Sequence, residues 1–201
     1  MQEDTKIKFQ RKKSNFYEAL STEVNAKLSP ALRLRAKKTL HLKLMFYSFL
    51  FVGCYSFLFT NIVASHYAFF VISYTLFGLS GILLAFNASH DAVHHTLFRN
   101  KTLNEILHYL IFNLQGVNAT LWKNRHLASH HIFPNVAGCD ADIDDNPFIR
   151  LSDTHPQKKL HRFQHLYALF LYCLYTLHWI LIKDFVYLRK KRVANMTNLH
   201  Y

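Results

Sequence analysis

Histidine is the residue type whose spacing in this sequence points most directly to chemistry. His90 and His94 stand four residues apart in "SHDAVHHTLFRN", and His126 and His130 repeat that spacing in "RHLASHHIFPN". Positions four apart lie on one face of a helix, so each pair can present two imidazoles to one point. His131 lies one residue further round and can reach a neighbouring point. The five histidines therefore predict a site for one or two metal ions.

The spacing alone does not identify the metal, because imidazole suits zinc, copper, iron and nickel about equally. A zinc peptidase normally carries His-Glu-x-x-His, with the glutamate as general base. Asp91 stands in that place here, and its shorter side chain argues against this role. The cysteines Cys54, Cys139 and Cys173 show no paired spacing, so the sequence predicts neither a disulfide framework nor a thiolate site.

Two long uncharged runs precede the first histidine cluster. Residues 44–65 and 67–89 form runs of 22 and 23 residues, and only His66 separates them. A helix needs roughly 20 residues to cross the hydrocarbon core, so the sequence predicts a transmembrane helical hairpin. Eleven Lys and Arg precede the hairpin and none lies between its two runs. The positive-inside rule then puts the N-terminus and both histidine clusters on the cytoplasmic face of an integral membrane protein.

A third apolar run, 166–182, has 17 residues and basic residues on both sides, so it either spans the membrane or is re-entrant. Apolar residues at helical spacing predict an amphipathic helix over 102–122. The predicted fold class is an all-α membrane protein. Its predicted parts are a basic cytoplasmic segment (1–43), the transmembrane hairpin (44–89), a cytoplasmic histidine region (90–165), the third membrane segment (166–182) and a basic tail (183–201).

The basic composition fits a membrane protein better than a nucleic-acid-binding protein. The formal net charge is +12, and half of the residues are hydrophobic. The surplus of Lys and Arg flanks the apolar runs, as it does on the cytoplasmic side of membrane proteins. We therefore expect membrane lipids as surroundings and no nucleic acid as partner.

The pattern as a whole resembles one known family. "HDAVH" followed by "W…RHLASHH…N…G.D.DI" is similar to the first two histidine boxes of the membrane fatty acid desaturases, in particular the acyl-CoA or linoleoyl-type branch with the front-end desaturases. The likeness continues through "PFIRLSDTHPQKKLHRFQHLYALFLY", and the opening "IKFQRKKSNFYEAL" fits as well. It therefore covers nearly the whole chain.

The resemblance implies an O2-dependent enzyme that removes two hydrogens from a fatty acyl chain at two iron ions. It implies that the iron ligands are His90, His94, His126, His130 and His131. It further implies an acyl-CoA or lipid-bound substrate and a separate electron donor, a ferredoxin or cytochrome b5-like protein. It also implies that Asp91 accepts a hydrogen bond from a ligand imidazole and fixes its tautomer. Asn135, Asp140 and Asp142 match family positions as well, but capping and turn formation explain them equally well. Arg150, Lys158 and Lys159 could contact the phosphates of coenzyme A or could face lipid.

The sequence departs from the family at the third histidine box, which is typically Gln-x-x-His-His. After His131 the sequence contains no adjacent histidine pair, and "HRFQH" offers only His161 and His165, four apart. We therefore expect these residues to be the N-terminal part of a desaturase, binding metal weakly and inactive alone. Two alternatives stay open: a related histidine-box hydroxylase, and a non-catalytic metal-binding remnant.

Overall fold

The computed structural model describes residues 14–143 and 148–190, together with the backbone of 192–193 and 196–197. The chain divides into two compact units: an N-terminal unit with the described residues up to Gln115, and a C-terminal unit with those from Gly116 onward. Three predicted parts lie partly outside the described residues. They are the basic segment at positions 1–13, the histidine region at positions 144–147, and the basic tail at most positions after 190.

The N-terminal unit contains the predicted hairpin. Its helices are α1 (Phe16–Lys27), α2 (Pro30–Phe57), α3 (Asn61–Ser65), α4 (Tyr67–Leu84), α5 (His90–Val93) and α6 (Lys101–Leu114). A π-helical turn, Ala85–Ser89, joins α4 to α5 without a break. Two helical segments of this unit are long and apolar enough to cross a membrane, Pro30–Phe57 and Tyr67–Val93.

Helix α2 begins at Pro30, well before the apolar run 44–65 from which a membrane helix was predicted. The Ser29 side chain accepts a hydrogen bond from the backbone N–H of Leu32 at 3.2 Å, and Pro30 occupies the first helical position. Serine at the cap and proline directly after it are both favoured at helix starts. The basic residues from Arg33 to Lys43 therefore form the first turns of the same helix that carries the apolar run.

The two hairpin helices pack through aromatic and small side chains. The ring centroids of Phe51 on α2 and Phe77 on α4 lie 5.1 Å apart. The two helices approach closely at Gly81, where an added Cβ would lie 3.4 Å from the Phe51 ring, at van der Waals contact. A buried cluster of Leu84, Ala88 and Ile111 then ties the end of α4 and the π turn to α6.

The sequence predicted one amphipathic helix over 102–122, but the structure contains two helices there. Helix α6 ends at Leu114, and the next helix begins at Ala119. Gly116 lies between them with φ of +74°, a left-handed conformation that no continuous helix contains and that glycine adopts at little cost. The Asn118 side chain then accepts the N–H of Leu121 at 3.0 Å and caps the new helix.

The C-terminal unit carries the third apolar run. Its described elements are α7 (Ala119–Asn124), a π-helical turn (Arg125–His130), a 3-10 turn (Lys159–Phe163), α8 (Gln164–His178), a second π turn (Trp179–Lys183), α9 (Asp184–Arg189), and the two-residue antiparallel strands β1 (Arg192–Val193) and β2 (Met196–Thr197). The helical segment Lys159–Arg189 is also long and apolar enough to cross a membrane. The predicted class, an all-α membrane protein, is confirmed, with β1 and β2 as a small addition.

Candidate metal centre

The first histidine cluster stands where the π turn of the N-terminal unit passes into α5. His90 is the first residue of α5, and His94 caps its end. Their ring centroids are 4.9 Å apart, and a ring nitrogen of each lies within 4.8 Å of the other. The predicted pairing four residues apart is therefore present. His95 follows with φ of +55°, where the helix has already ended.

A buried polar contact fixes the turn that carries His90. The Ser89 Oγ atom lies 2.8 Å from His108 Nδ1 and 3.3 Å from the carbonyl oxygen of His108. Both residues are almost fully buried, so this contact replaces water for both groups. It anchors the residue directly before His90 to the middle of α6. Sequence spacing alone had not indicated either residue.

Asp91 does not make the contact that the resemblance implied for it. Its carboxylate lies 3.8 Å from His90 Nδ1, which is too long for a hydrogen bond. The Lys43 ammonium on α2 lies closer, at 3.4 Å from Asp91 Oδ2. Asp91 thus faces a cation of α2, and it does not set the orientation of the His90 ring by a hydrogen bond.

The second cluster pairs different histidines from those that the helical spacing predicted. His126 Nε2 and His131 Nε2 are 2.9 Å apart, whereas the rings of His126 and His130 are centred 5.9 Å apart. The cause is the π turn, in which the N–H of His131 donates to the carbonyl oxygen of His126 at 3.0 Å. A wider turn brings residues five apart into register, so His126 pairs with His131.

The His126–His131 pair has a spacing that suits one metal ion. With metal–nitrogen bonds of about 2.1 Å, two nitrogens 2.9 Å apart subtend about 90° at the ion. That is the angle between neighbouring ligands in octahedral coordination, and imidazole nitrogen is a ligand that iron accepts. The Trp122 ring stacks on His126 at 4.4 Å and 20°, which restricts the orientation of that imidazole. These residues therefore fit an iron ion.

His130 faces carboxylates instead. Its Nδ1 donates to Asp140 at 3.1 Å and lies 3.4 Å from Asp142 Oδ2. Burial of Asp140 raises the pKa of its carboxyl, but the N–H groups of Asn135 and Asp142 and the His130 ring outweigh burial and hold that pKa below its ordinary value. Asp140 is therefore ionised near neutral pH. The turn-forming reading of Asn135 and Asp140 is thus confirmed by their hydrogen bond, and the Asp140 carboxylate also contacts the His130 ring.

A buried charged group that sequence reasoning missed lies beside the second cluster. Arg125, directly before His126, is 2% exposed, and its guanidinium lies over the rings of Trp179 and Tyr187 at 4.6 and 4.3 Å. The Asp184 carboxylate at the start of α9 is 3.9 Å away. Asp184 is the first acidic residue after the third apolar run, and an acid at such a position could have been noticed in the sequence.

The basic residues considered for phosphate contacts have different surroundings. Arg150 donates to backbone carbonyl oxygens of Asp153 and His155 and so closes its own loop. Lys158 and Lys159 are exposed. Arg150 is thus a turn-forming residue in this structure, and the two lysines remain accessible to a partner or a lipid.

Comparison with known protein families shows to which family this chain belongs. The family model described as fatty acid desaturase matches residues 65–198, which include both histidine clusters and the third apolar run. The chain belongs to the fatty acid desaturase family. This confirms the resemblance read from the two histidine boxes and makes the chain part of an oxidoreductase family that acts on fatty acids. No solved structure matches the chain.

Several proteins named as desaturases are similar to this chain over part of their length. A probable Delta(5) fatty acid desaturase from Dictyostelium discoideum is 31% identical over 156 residues, 72% of this chain and 34% of the relative. An sn-1 linoleoyl-lipid 6-desaturase from Synechocystis is 30% identical over 53% of this chain and 29% of the relative, and a Delta(8)-fatty-acid desaturase from Euglena gracilis is 33% identical over 55% and 29%. The chain thus spans about a third of the length of these relatives.

Proposed function

We propose that this desaturase chain takes part in the O2-dependent removal of two hydrogens from a fatty acyl chain, with iron bound by its clustered histidines. The proposed ligands are His90, His94, His126, His130 and His131. The observation that carries the proposal is the pairing of imidazole nitrogens within each cluster, in a chain of the fatty acid desaturase family.

Iron is the metal whose chemistry fits a desaturase. An unactivated methylene group gives up hydrogen only to a strong oxidant, and zinc has no redox chemistry. Bound iron supplies that oxidising power with O2 and two electrons from a donor protein. The chain's own part is to hold the imidazoles in fixed orientations. His90 and His94 are positioned at the two ends of the short helix α5, and the ring of His126 is oriented by stacking on Trp122.

The proposed substrate is a fatty acyl chain carried by coenzyme A or by a lipid. One relative is named for a linoleoyl-lipid substrate and others for fatty acids. The three apolar helical segments give the chain the surface of an integral membrane protein, in which acyl chains are soluble. The electron donor is a separate protein of the ferredoxin or cytochrome b5 type. We assign the histidine clusters to the cytoplasmic face because of the eleven basic residues before the hairpin.

The test is the fatty acid profile of a host that lacks an equivalent enzyme. The protein is expressed from the longest reading frame that contains this sequence, and fatty acids are separated by gas chromatography with mass spectrometry. A new product two hydrogens lighter than a host fatty acid, absent from the His94→Ala variant, is the expected result. A product that gains one oxygen would identify a hydroxylase. An unchanged profile with the protein present in membranes would contradict the proposal.

A further inference from the structure

The carboxylate of Asp140 is completely buried and held by several donors. It accepts the backbone N–H of Asn135 at 2.7 Å and that of Asp142 at 2.9 Å. His130 Nδ1 approaches both of its oxygens, at 3.1 and 3.2 Å. An ionised carboxylate can only accept hydrogen bonds. The proton of this contact therefore sits on Nδ1 of His130.

The loop that carries Asp140 is fastened to the π turn that carries His130. Ser129 Oγ donates to the carbonyl oxygen of Cys139 and accepts the N–H of Ala141 at 2.8 Å. Ser129 is fully buried, so water does not compete for these bonds. Asn135 has φ of +61°, a tight left-handed turn that directs its N–H at Asp140. Any movement of the carboxylate away from His130 would break these hydrogen bonds.

We propose that Asp140 is a positioning residue that fixes His130 as the tautomer protonated on Nδ1, so that Nε2 presents its lone pair to a metal ion. The proposal deepens the proposed function and rests on it for the identity of the metal. A carboxylate behind a ligating histidine holds the ring in orientation and raises its basicity. His130 thus acquires through Asp140 the fixed geometry that His126 receives from Trp122.

Asp142 provides a matched control for this role. Its carboxylate also lies near His130 Nδ1, at 3.4 Å, but its side chain is 48% exposed. An exposed carboxylate at this distance is screened by water and holds its partner weakly. The substitutions Asp140→Asn and Asp142→Asn remove the same charge from neighbouring positions, but only the first removes a buried charge and turns one of two buried acceptor oxygens into an NH2 donor.

The tautomer can be read directly by nitrogen NMR of histidine-labelled, metal-free protein in detergent micelles. The His130 signals are assigned from their loss in the His130→Gln variant. We expect Nδ1 of His130 to be protonated in the unsubstituted protein and in Asp142→Asn, and the Nε2-protonated form to appear in Asp140→Asn. A neutral His130 ring protonated on Nε2 in the unsubstituted protein would overturn the proposal whatever the Asp140→Asn variant shows. So would an Nδ1-protonated ring in a folded Asp140→Asn variant.

A cobalt(II) titration followed by visible absorbance tests the consequence for metal binding. Asp140→Asn should weaken cobalt binding about 10–100-fold. In a His130→Gln background the same substitution should cause no further loss, because Asp140 acts through His130. An equal loss in both backgrounds would show a merely structural role and overturn the proposal. If the unsubstituted protein binds no cobalt, the proposed iron site fails, while the metal-free NMR result still decides the role of Asp140.

Discussion

Replacing Asp184 with alanine removes the carboxylate that lies 3.9 Å from the buried guanidinium of Arg125. The same carboxylate accepts hydrogen bonds from Trp179 Nε1 at 2.9 Å and from the backbone N–H of Asn118 at 3.1 Å. These contacts join the start of α9 to the start of α7 and to the turn before His126. The substitution should therefore weaken the packing that supports the second histidine cluster.

The expected cost follows from the burial of these groups. Opposite charges about 4 Å apart attract by about 4 kcal/mol at an effective dielectric constant of about 20. The contacts of the Arg125 guanidinium with the rings of Trp179 and Tyr187 are present with or without Asp184, so they do not change this difference. Two donors also lose their acceptor, at about 1–3 kcal/mol each where they stay buried. Because breaking a buried ion pair costs about 3–5 kcal/mol in measured cases, we expect Asp184→Ala to cost a similar amount.

The assay is thermal unfolding of the detergent-solubilised protein, followed by far-UV circular dichroism. A loss of about 3–5 kcal/mol corresponds to a Tm lower by about 6–20 °C for a chain of this length. Asp153→Ala, an exposed acid of the same unit, should change stability by less than about 0.5 kcal/mol. The double variant Arg125→Met with Asp184→Ala should recover part of the loss, because it buries no charge. A Tm for Asp184→Ala within the range of the Asp153→Ala control would refute this reasoning.

Three further outcomes follow from individual positions. Gly116→Ala should lower stability by about 1–2 kcal/mol in the same unfolding assay, since φ is +74° there, whereas Gly53→Ala, within α2, should leave it unchanged or raise it by up to about 1 kcal/mol. Ser89→Ala should cost about 1–3 kcal/mol by removing a buried hydrogen bond to α6, and an unchanged Tm would contradict that contact. Lys27→Cys and Asp153→Cys, in a cysteine-free background, should react with an impermeant maleimide only after cell lysis; labelling in intact cells would contradict the cytoplasmic assignment.

The membrane helices were largely predictable because they depend on a local property, the absence of charge over a length that spans a bilayer. The start of α2 was not predicted, although its signal is local too. Ser29 and Pro30 form a cap and first turn, and the helix then continues through basic residues into the apolar run. A search for apolar runs does not detect such a start, because lysine and arginine are good helix formers that carry no apolar signal.

The clustering of His90, His94, His126 and His131 was predictable from the sequence, but the pairing in the second cluster and the carboxylate neighbours of His130 were not. The spacing of His90 and His94 gave the correct pair because α5 is an ordinary helix between them. The second cluster lies on a π turn, so its close pair is His126 with His131, and no feature of the local sequence indicates the wider turn. Partners distant in sequence hold that turn, among them Asp184 beside Arg125, 3.9 Å apart in the structure. Such contacts do not follow from spacing within a motif.

The iron content of histidine variants tests the central claim most directly. The protein is expressed from the longest reading frame that contains this sequence, in iron-supplemented cells, purified in detergent and analysed for metals by mass spectrometry. We predict that the unsubstituted protein and the His178→Ala variant, which is altered outside the proposed ligand set, retain iron. His94→Ala and His130→Ala should lose most of it while remaining folded by circular dichroism. Equal iron content in all four proteins, or retention of zinc in place of iron, would contradict the account.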